Sequence, residues 1–240
     1  MNRAFSSEPV LNAPAVVLAL IGIFVVIHAI RSLLPAEWDL WVILAFAFIP
    51  ARYVLPAGSL PGGLGADFWT FVTHMLLHGS WAHLLVNSFW MLAFGTLMAR
   101  RLGTAGFLVL TVVSGIAGAL LHLIIYWGAI APVIGASAGI SGQMGAAIRL
   151  MFSDPGGLLA AARRDQRFTR PLSIRETFTM RGPLTFIIVW FGINLVFGLL
   201  SFGANEGGTV AWQAHIGGFL AGLLAFAPID RWARRYSYSS

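Results

Sequence analysis

Leu102-GTAGFLVLTVVSGIAGALLHLIIYWGAIAPVIGASAGISGQMGAA-Ile148 runs for 47 residues without a single Asp, Glu, Lys or Arg. A helix that crosses a bilayer needs about 20 mostly apolar residues, so this stretch holds two. Gly128 to Pro132 supplies the break between them. Working outward, a third span covers about Trp81 to Ala99 and a fourth Leu11 to Ile30. On the other side Gly182 to Asn205 and Gly207 to Ile229 make two more. The chain is therefore expected to be an all-α polytopic membrane protein with six transmembrane helices.

Composition agrees with this pattern. Of 240 residues 58% are apolar and only 10% charged, where a soluble domain carries about a quarter charged residues. A mean hydropathy of +0.81 likewise excludes a mostly disordered chain. With no cysteine there is no disulfide, thiolate metal site or cysteine nucleophile. The all-Arg basic set, with many Ala and Gly, hints at a GC-rich bacterial genome and hence a bacterial plasma membrane.

The polar connections give the orientation. Residues 1–10 form a short N-terminal segment, about 35–80 a long loop with an interfacial helix near Leu40 to Pro50, about 154–181 an Arg-rich solvated loop, and 230–240 a basic tail. The spans enclose one domain, 11–229, whose first apolar run is retained as a helix rather than cleaved as a signal. With the N-terminus cytoplasmic, Arg3, Arg100, Arg101, Arg149, Arg163, Arg164, Arg167, Arg170, Arg175, Arg181, Arg231, Arg234 and Arg235 lie inside and only Arg31 and Arg52 outside. The positive-inside rule selects that orientation, and the net charge of +6 reads as topology rather than as nucleic-acid binding.

Polar groups at membrane depth are costly and mark function by default. Here they are His28, His74, His78, His83, Asn87, His122, Ser137, Ser141, Asn194 and His215. No carboxylate lies inside a span, which argues against a carboxylate proton relay, an intramembrane aspartyl protease and a His-Glu-x-x-His zinc protease.

Gly135-Ala136-Ser137-Ala138-Gly139-Ile140-Ser141-Gly142 follows Pro132, so Ser137 falls in the first turns of a helix, where free N–H groups can stabilise an oxyanion. Ser137, Ser141 and Gly145 form one small-residue stripe, which taken alone reads as a packing seam. His215, Gly218 and Gly222 share a face of the last span, and a glycine seam there against Ser141 and Gly145 would bring an imidazole to the Ser137 hydroxyl: a nucleophile and a general base. Spans two, four and six run in one direction, and counting from Pro132 and Gly207 puts Ser137 and His215 roughly 7–12 Å below the outer helix ends. In span two His83 and Asn87 are four apart on one face, and both can donate hydrogen bonds to an oxyanion. They also read as inter-helix glue. His74 and His78 read as loop anchors, His28 and His122 as packed residues, and Asn194 as helix glue.

These pieces together resemble the rhomboid family of intramembrane serine proteases, from roughly Leu11 to Ile229. The resemblance rests on His74-x-x-x-His78-x-x-x-x-His83-x-x-x-Asn87, Gly135-Ala136-Ser137 with Gly145, and Ala214-His215-x-x-Gly218-x-x-x-Gly222. It implies a Ser137–His215 dyad without an acidic third member, and an oxyanion hole of the Ser137 N–H, His83 and Asn87. It further implies a water-filled cavity open to the extracytoplasmic side, a first loop lying in the membrane plane, entry of transmembrane-protein substrates near span five, and no metal or cofactor. Three positions depart from the commonest pattern. Ala138 follows the nucleophile where Gly is usual, Thr70 follows Trp69 where many members carry Arg, and Ser141 stands where one branch stacks an aromatic ring on the base. The last leaves the orientation of His215 open. A silent rhomboid-like protein that escorts membrane clients is the alternative reading, and a channel or transporter lined by His and Ser is disfavoured because the two halves show no repeat.

Overall fold

Proline and glycine punctuate the chain into the helices that carry the site. The computed structural model describes residues 13–153, 169–200 and 211–237. The expected N-terminal segment with Arg3, the loop arginines Arg163, Arg164 and Arg167, the outer turn at Asn205 to Gly207, and the last three residues of the tail lie outside the described residues.

Helix α1 (Ala15–Ser32) starts after Pro14, whose carbonyl accepts from Val17 and Leu18 N–H. The following loop is more structured than its Pro/Gly content suggests. It contains α2 (Ala36–Phe46) after Pro35, a 3₁₀ turn at Pro50–Tyr53, a further helix α3 (Gly63–Thr73) and a second 3₁₀ turn at His74–Leu76. Phe48 packs against Phe71, with ring centroids 4.8 Å apart, and the Trp69 indole N–H donates to the Ala45 carbonyl at 2.8 Å. Two cations brace this loop. Arg31 pairs with Asp39 (2.7 and 3.2 Å) and donates to the His78 carbonyl at 2.9 Å, while Arg52 donates to the Leu44 and Pro61 carbonyls.

Helix α4 (Trp81–Trp90) is capped by the Ser80 hydroxyl, which accepts from His83 N–H at 3.1 Å. It continues through a π turn at Met91–Gly95 into α5 (Thr96–Ile125). Gly103 interrupts α5 with φ +67°, a conformation that favours glycine, and Gly95 lies beside Phe107, so the chain doubles back there. The helix that holds the second expected span thus runs on to Leu102.

Helix α6 (Ser137–Met151) is the centre of the molecule, with every residue from Ala138 to Met151 buried. It begins at Ser137, not just after Pro132, because the preceding segment is extended. Phe48 and Val133 exchange two backbone bonds (3.1 and 2.8 Å), Ala51 N–H donates to Ala129, and Gly135 N–H donates to the His74 carbonyl at 2.9 Å. The loop between α1 and α4 therefore satisfies a non-helical backbone that lipid could not.

Helix α7 (Ile174–Thr179), inside what reads as a solvated loop, starts with a capping box in which Ser173 and Glu176 bond each other's backbone N–H. Helices α8 (Arg181–Leu200) and α9 (Trp212–Ser237) follow. Helices α6 and α9 run parallel and touch through glycine. A methyl at Gly218 would fall on the Ala138 carbonyl, one at Gly222 on the Gly142 carbonyl, and one at Gly145 on the Phe219 carbonyl. The closest approaches run through Gly145, which belongs to the expected Ser141/Gly145 seam, and through Ala138 and Gly142, each one position on from Ser137 and Ser141. Below the seam, Arg101 pairs with Asp230 (2.6 and 2.9 Å), and Arg149 donates to Leu172 and Leu223 carbonyls. Among the described residues three helical stretches are long and apolar enough to cross a membrane: Ala15–Ser32, Trp81–Ile125 and Trp212–Arg235. Arg181–Val196 is a shorter apolar helix.

Candidate active site

Ser137 owes its position to the chain break before it. Gly135 sits at φ +117°, and a Cβ built there would lie 2.7 Å from His83 Nε2, so this residue is glycine for both backbone and space. The turn it makes delivers Ser137 as the first residue of α6, next to Ala136 at the cap. The first donor to close a turn onto this cap is Ile140 N–H, to the Ala136 carbonyl at 3.0 Å. The N–H of Ser137 precedes it and has no intrahelical acceptor by helix geometry.

His215 lies in the first turn of α9, and the glycine contact between α6 and α9 brings its ring to the serine. His215 Nε2 is 2.8 Å from Ser137 Oγ. The other ring nitrogen, Nδ1, is 2.6 Å from Asn194 Oδ1 on α8. Asn194 is buried and donates its Nδ2 to the Trp190 carbonyl at 2.8 Å. A serine hydroxyl, an imidazole and an amide are thus joined in one line across three helices.

His83 and Asn87 face the same turn. Measured from the position a Gly135 Cβ would occupy, His83 Nε2 is at 2.7 Å and Asn87 Nδ2 at 3.6 Å. Asn87 Nδ2 donates one hydrogen to the His83 carbonyl at 3.1 Å and keeps a second. On the far side of the ring the Gly79 N–H points at His83 Nδ1 over a long 3.5 Å, which favours the tautomer with its hydrogen on Nε2, toward Gly135. Two N–H donors therefore converge on the backbone just before the serine hydroxyl. An arrangement of this kind can take a proton from a hydroxyl and hold a developing negative oxygen.

Residues 65–231 match the rhomboid domain. The chain belongs to the rhomboid family. Over 158 residues it is 30% identical to rhomboid protease GlpG of Yersinia pestis (strain Pestoides F), covering 66% of this chain and 47% of that protein. Over 163 residues it is 31% identical to rhomboid protease GluP of Bacillus subtilis (strain 168), covering 68% of this chain and 26% of that protein. The matched segment spans less than half the length of either relative. A rhomboid domain implies a polytopic fold and an integral membrane protein, in keeping with the all-α architecture and its three long apolar stretches.

Within this rhomboid domain the structure brings Ser137 and His215 together and turns His83 and Asn87 toward them. Gly145, Gly218 and Gly222 sit at the helix contact and Gly135 at the turn, while Ser141 is buried in the second turn of α6. His74 Nδ1 donates to the Thr70 carbonyl at 2.9 Å, and it is the His74 backbone that holds Gly135. His28 packs edge-on against Trp81, with centroids 4.6 Å apart, and His122 stacks on Tyr126. The residue that sequence reasoning left aside is Asn194. Its one signal was a polar side chain in an apolar helix, and nothing in the spacing of α8 and α9 ties it to His215.

Proposed function

We propose that this rhomboid is an active intramembrane serine endopeptidase, hydrolysing a peptide bond in or near the transmembrane segment of other membrane proteins. The 2.8 Å contact between Ser137 Oγ and His215 Nε2 carries this reading. In it His215 takes the hydroxyl proton as Ser137 Oγ attacks the scissile carbonyl carbon. The carbonyl oxygen becomes an oxyanion, held by the Ser137 N–H, His83 Nε2–H and Asn87 Nδ2–H. His215 then gives the proton to the leaving amine, and the acyl-enzyme is released by water that His215 activates in turn. The Gly145, Gly218 and Gly222 seam fixes the depth at which the two side chains meet, and no metal or cofactor is needed.

The chain crosses the membrane six times in this reading, with domain 11–229 flanked by cytoplasmic termini, the Arg-rich loop inside, and the site open to the outer face of a bacterial plasma membrane. The two arginines expected outside support it: both are buried, Arg31 against Asp39 and the His78 carbonyl and Arg52 against the Leu44 and Pro61 carbonyls, and are not left to face lipid headgroups. A reporter fused near Pro61 that read as cytoplasmic would overturn this orientation.

The test of activity is the purified protein in lipid vesicles with a fluorogenic transmembrane substrate and a fluorophosphonate probe. Wild type is expected to cleave and to be labelled, whereas Ser137→Ala and His215→Ala each lose both without unfolding. A folded wild type that neither cleaves nor labels would favour a client-binding escort instead, and full activity in both variants would refute serine catalysis.

A further inference from the structure

We propose that Asn194 is a positioning residue for His215, selecting the imidazole tautomer in which Nε2 is bare and can accept the Ser137 proton. The proposal rests on the dyad reading above and adds to it a third group, from a different helix.

The chain of argument starts at a backbone carbonyl. Trp190 O can only accept, and it lies 2.8 Å from the Asn194 side chain, so the amide must present its NH₂ there. That leaves Oδ1, which also can only accept, facing His215 Nδ1 at 2.6 Å. Nδ1 must therefore carry the ring hydrogen. A neutral imidazole has one such hydrogen, so Nε2 is a lone pair, and the 2.8 Å contact to Ser137 Oγ runs from the hydroxyl to the ring. Turning the amide over would set Oδ1 against the Trp190 carbonyl, two acceptors in contact, and would place the proton on Nε2, where it blocks the base.

Packing fixes the register of this relay. Trp190 stacks on Phe219 with ring centroids 4.6 Å apart and an interplanar angle of 23°, and Phe191 meets Phe219 edge-on at 5.6 Å. Asn194 is one turn after Trp190 on α8, and His215 one turn before Phe219 on α9. The two helices run antiparallel, so the aromatic clamp sets the depth at which amide and imidazole meet. Asn194 is hydrogen-bonded to the ring and to the Trp190 carbonyl, and it acts through the ring.

Two measurements test this on the full chain in lipid vesicles. The first is kinetic. A serine–histidine site locked in the wrong tautomer loses about 10⁴ in kcat. A leucine in place of Asn194 leaves both tautomers accessible and also removes the acceptor that stabilises Nδ1–H of the imidazolium, so Asn194→Leu is expected to lower kcat about 10- to 100-fold with KM unchanged. Asn194→Asp keeps an acceptor for Nδ1–H and should restore most of the loss, which mere packing would not explain. The second is ¹⁵N NMR of histidine-labelled protein, with the His215 signal assigned by its absence from His215→Ala. Wild type should show protonated Nδ1 and bare Nε2, and Asn194→Leu a mixture.

A wild type holding its proton on Nε2, or a folded Asn194→Leu with wild-type kcat, overturns the proposal. Should Asn194→Leu fail to fold, the wild-type spectrum and Asn194→Asp still decide it. Failure of the dyad reading looks different: cleavage would survive Ser137→Ala, or wild type would not cleave at all, whatever tautomer the spectrum shows.

Discussion

Helices α6 and α8 both contribute to the site, but they are built on opposite principles. Helix α6 is hidden from lipid along its whole length after Ser137, and its Gly, Ala and Ser positions admit neighbouring backbones to contact distance. Helix α8 turns Ile188, Val189, Ile193, Leu195 and Val196 outward and touches α9 through a few large rings and one amide. The proposed nucleophile thus sits at the start of the fully buried helix, and the group proposed to orient its base on a peripheral one. A helix surrounded by protein can dispense with bulk hydrophobicity, as α6 does with Ser141, Gln143 and Arg149, whereas α8 faces lipid and cannot.

Glycine substitutions test that contrast with the largest expected effect. Gly222 on α9 has the Gly142 backbone where a side chain would go, while a methyl on Gly192 of α8 would meet nothing within 4 Å. Overfilling a close-packed site costs about 1–3 kcal/mol, and more where backbone rather than side chain must yield. Gly222→Val is expected to give little folded protein and no cleavage, and Gly192→Ala to keep both the thermal midpoint and the turnover of wild type. Equal behaviour of the two, read by thermal unfolding in detergent, would mean that the α6–α9 contact is not the rigid element.

The proposed oxyanion donors sharpen the comparison, because Asn87 comes from α4 yet points at the turn that α6 grows from. If its free N–H serves mainly the transition state, Asn87→Ala lowers kcat by up to about 10²–10³, with less effect on substrate affinity. The loss is partial because His83 and the Ser137 N–H remain. Turnover at the wild-type rate in both Asn87→Ala and His83→Ala would remove the pair from the mechanism.

Much of this was legible in the residues. The charge-free runs located the apolar helices, and His83, Asn87, Ser137 and His215 stood out as costly polar groups at membrane depth. The periodicity of Gly218 and Gly222 indicates a close helix contact, and Gly145 takes part in it as expected, although the other contacts on α6 fall at Ala138 and Gly142 rather than at Ser137 and Ser141. Three features were not legible. Helix α6 starts at Ser137 because Val133 pairs with Phe48, some 85 residues earlier in the chain, and a local pattern carries no trace of such a pairing. Helix α3 is disguised by the glycines at its start. Asn194 reads as generic helix glue until the rotation of α8 about its axis is known, and that rotation is set by the packing of Trp190 and Phe191 on Phe219, which belongs to another helix.

The smallest expected effect concerns the second serine on α6. Ser141 is one turn below Ser137 and buried, so it shares the helix, the depth class and the chemistry of its neighbour. What differs is position relative to the helix start. Ser137 lies where the first N–H groups are unpaired and where the non-helical segment 129–136 ends, whereas the backbone around Ser141 is already closed into the helix. The imidazole is also committed, since the 2.8 Å contact of His215 Nε2 is with Ser137 and its other nitrogen is held by Asn194. Ser141→Ala should therefore retain wild-type cleavage and fluorophosphonate labelling, with a change in stability of no more than about 1 kcal/mol from the lost hydroxyl. Loss of labelling in Ser141→Ala, with labelling kept in Ser137→Ala, would transfer the nucleophile one turn inward and require α9 to sit deeper against α6 in the working protein.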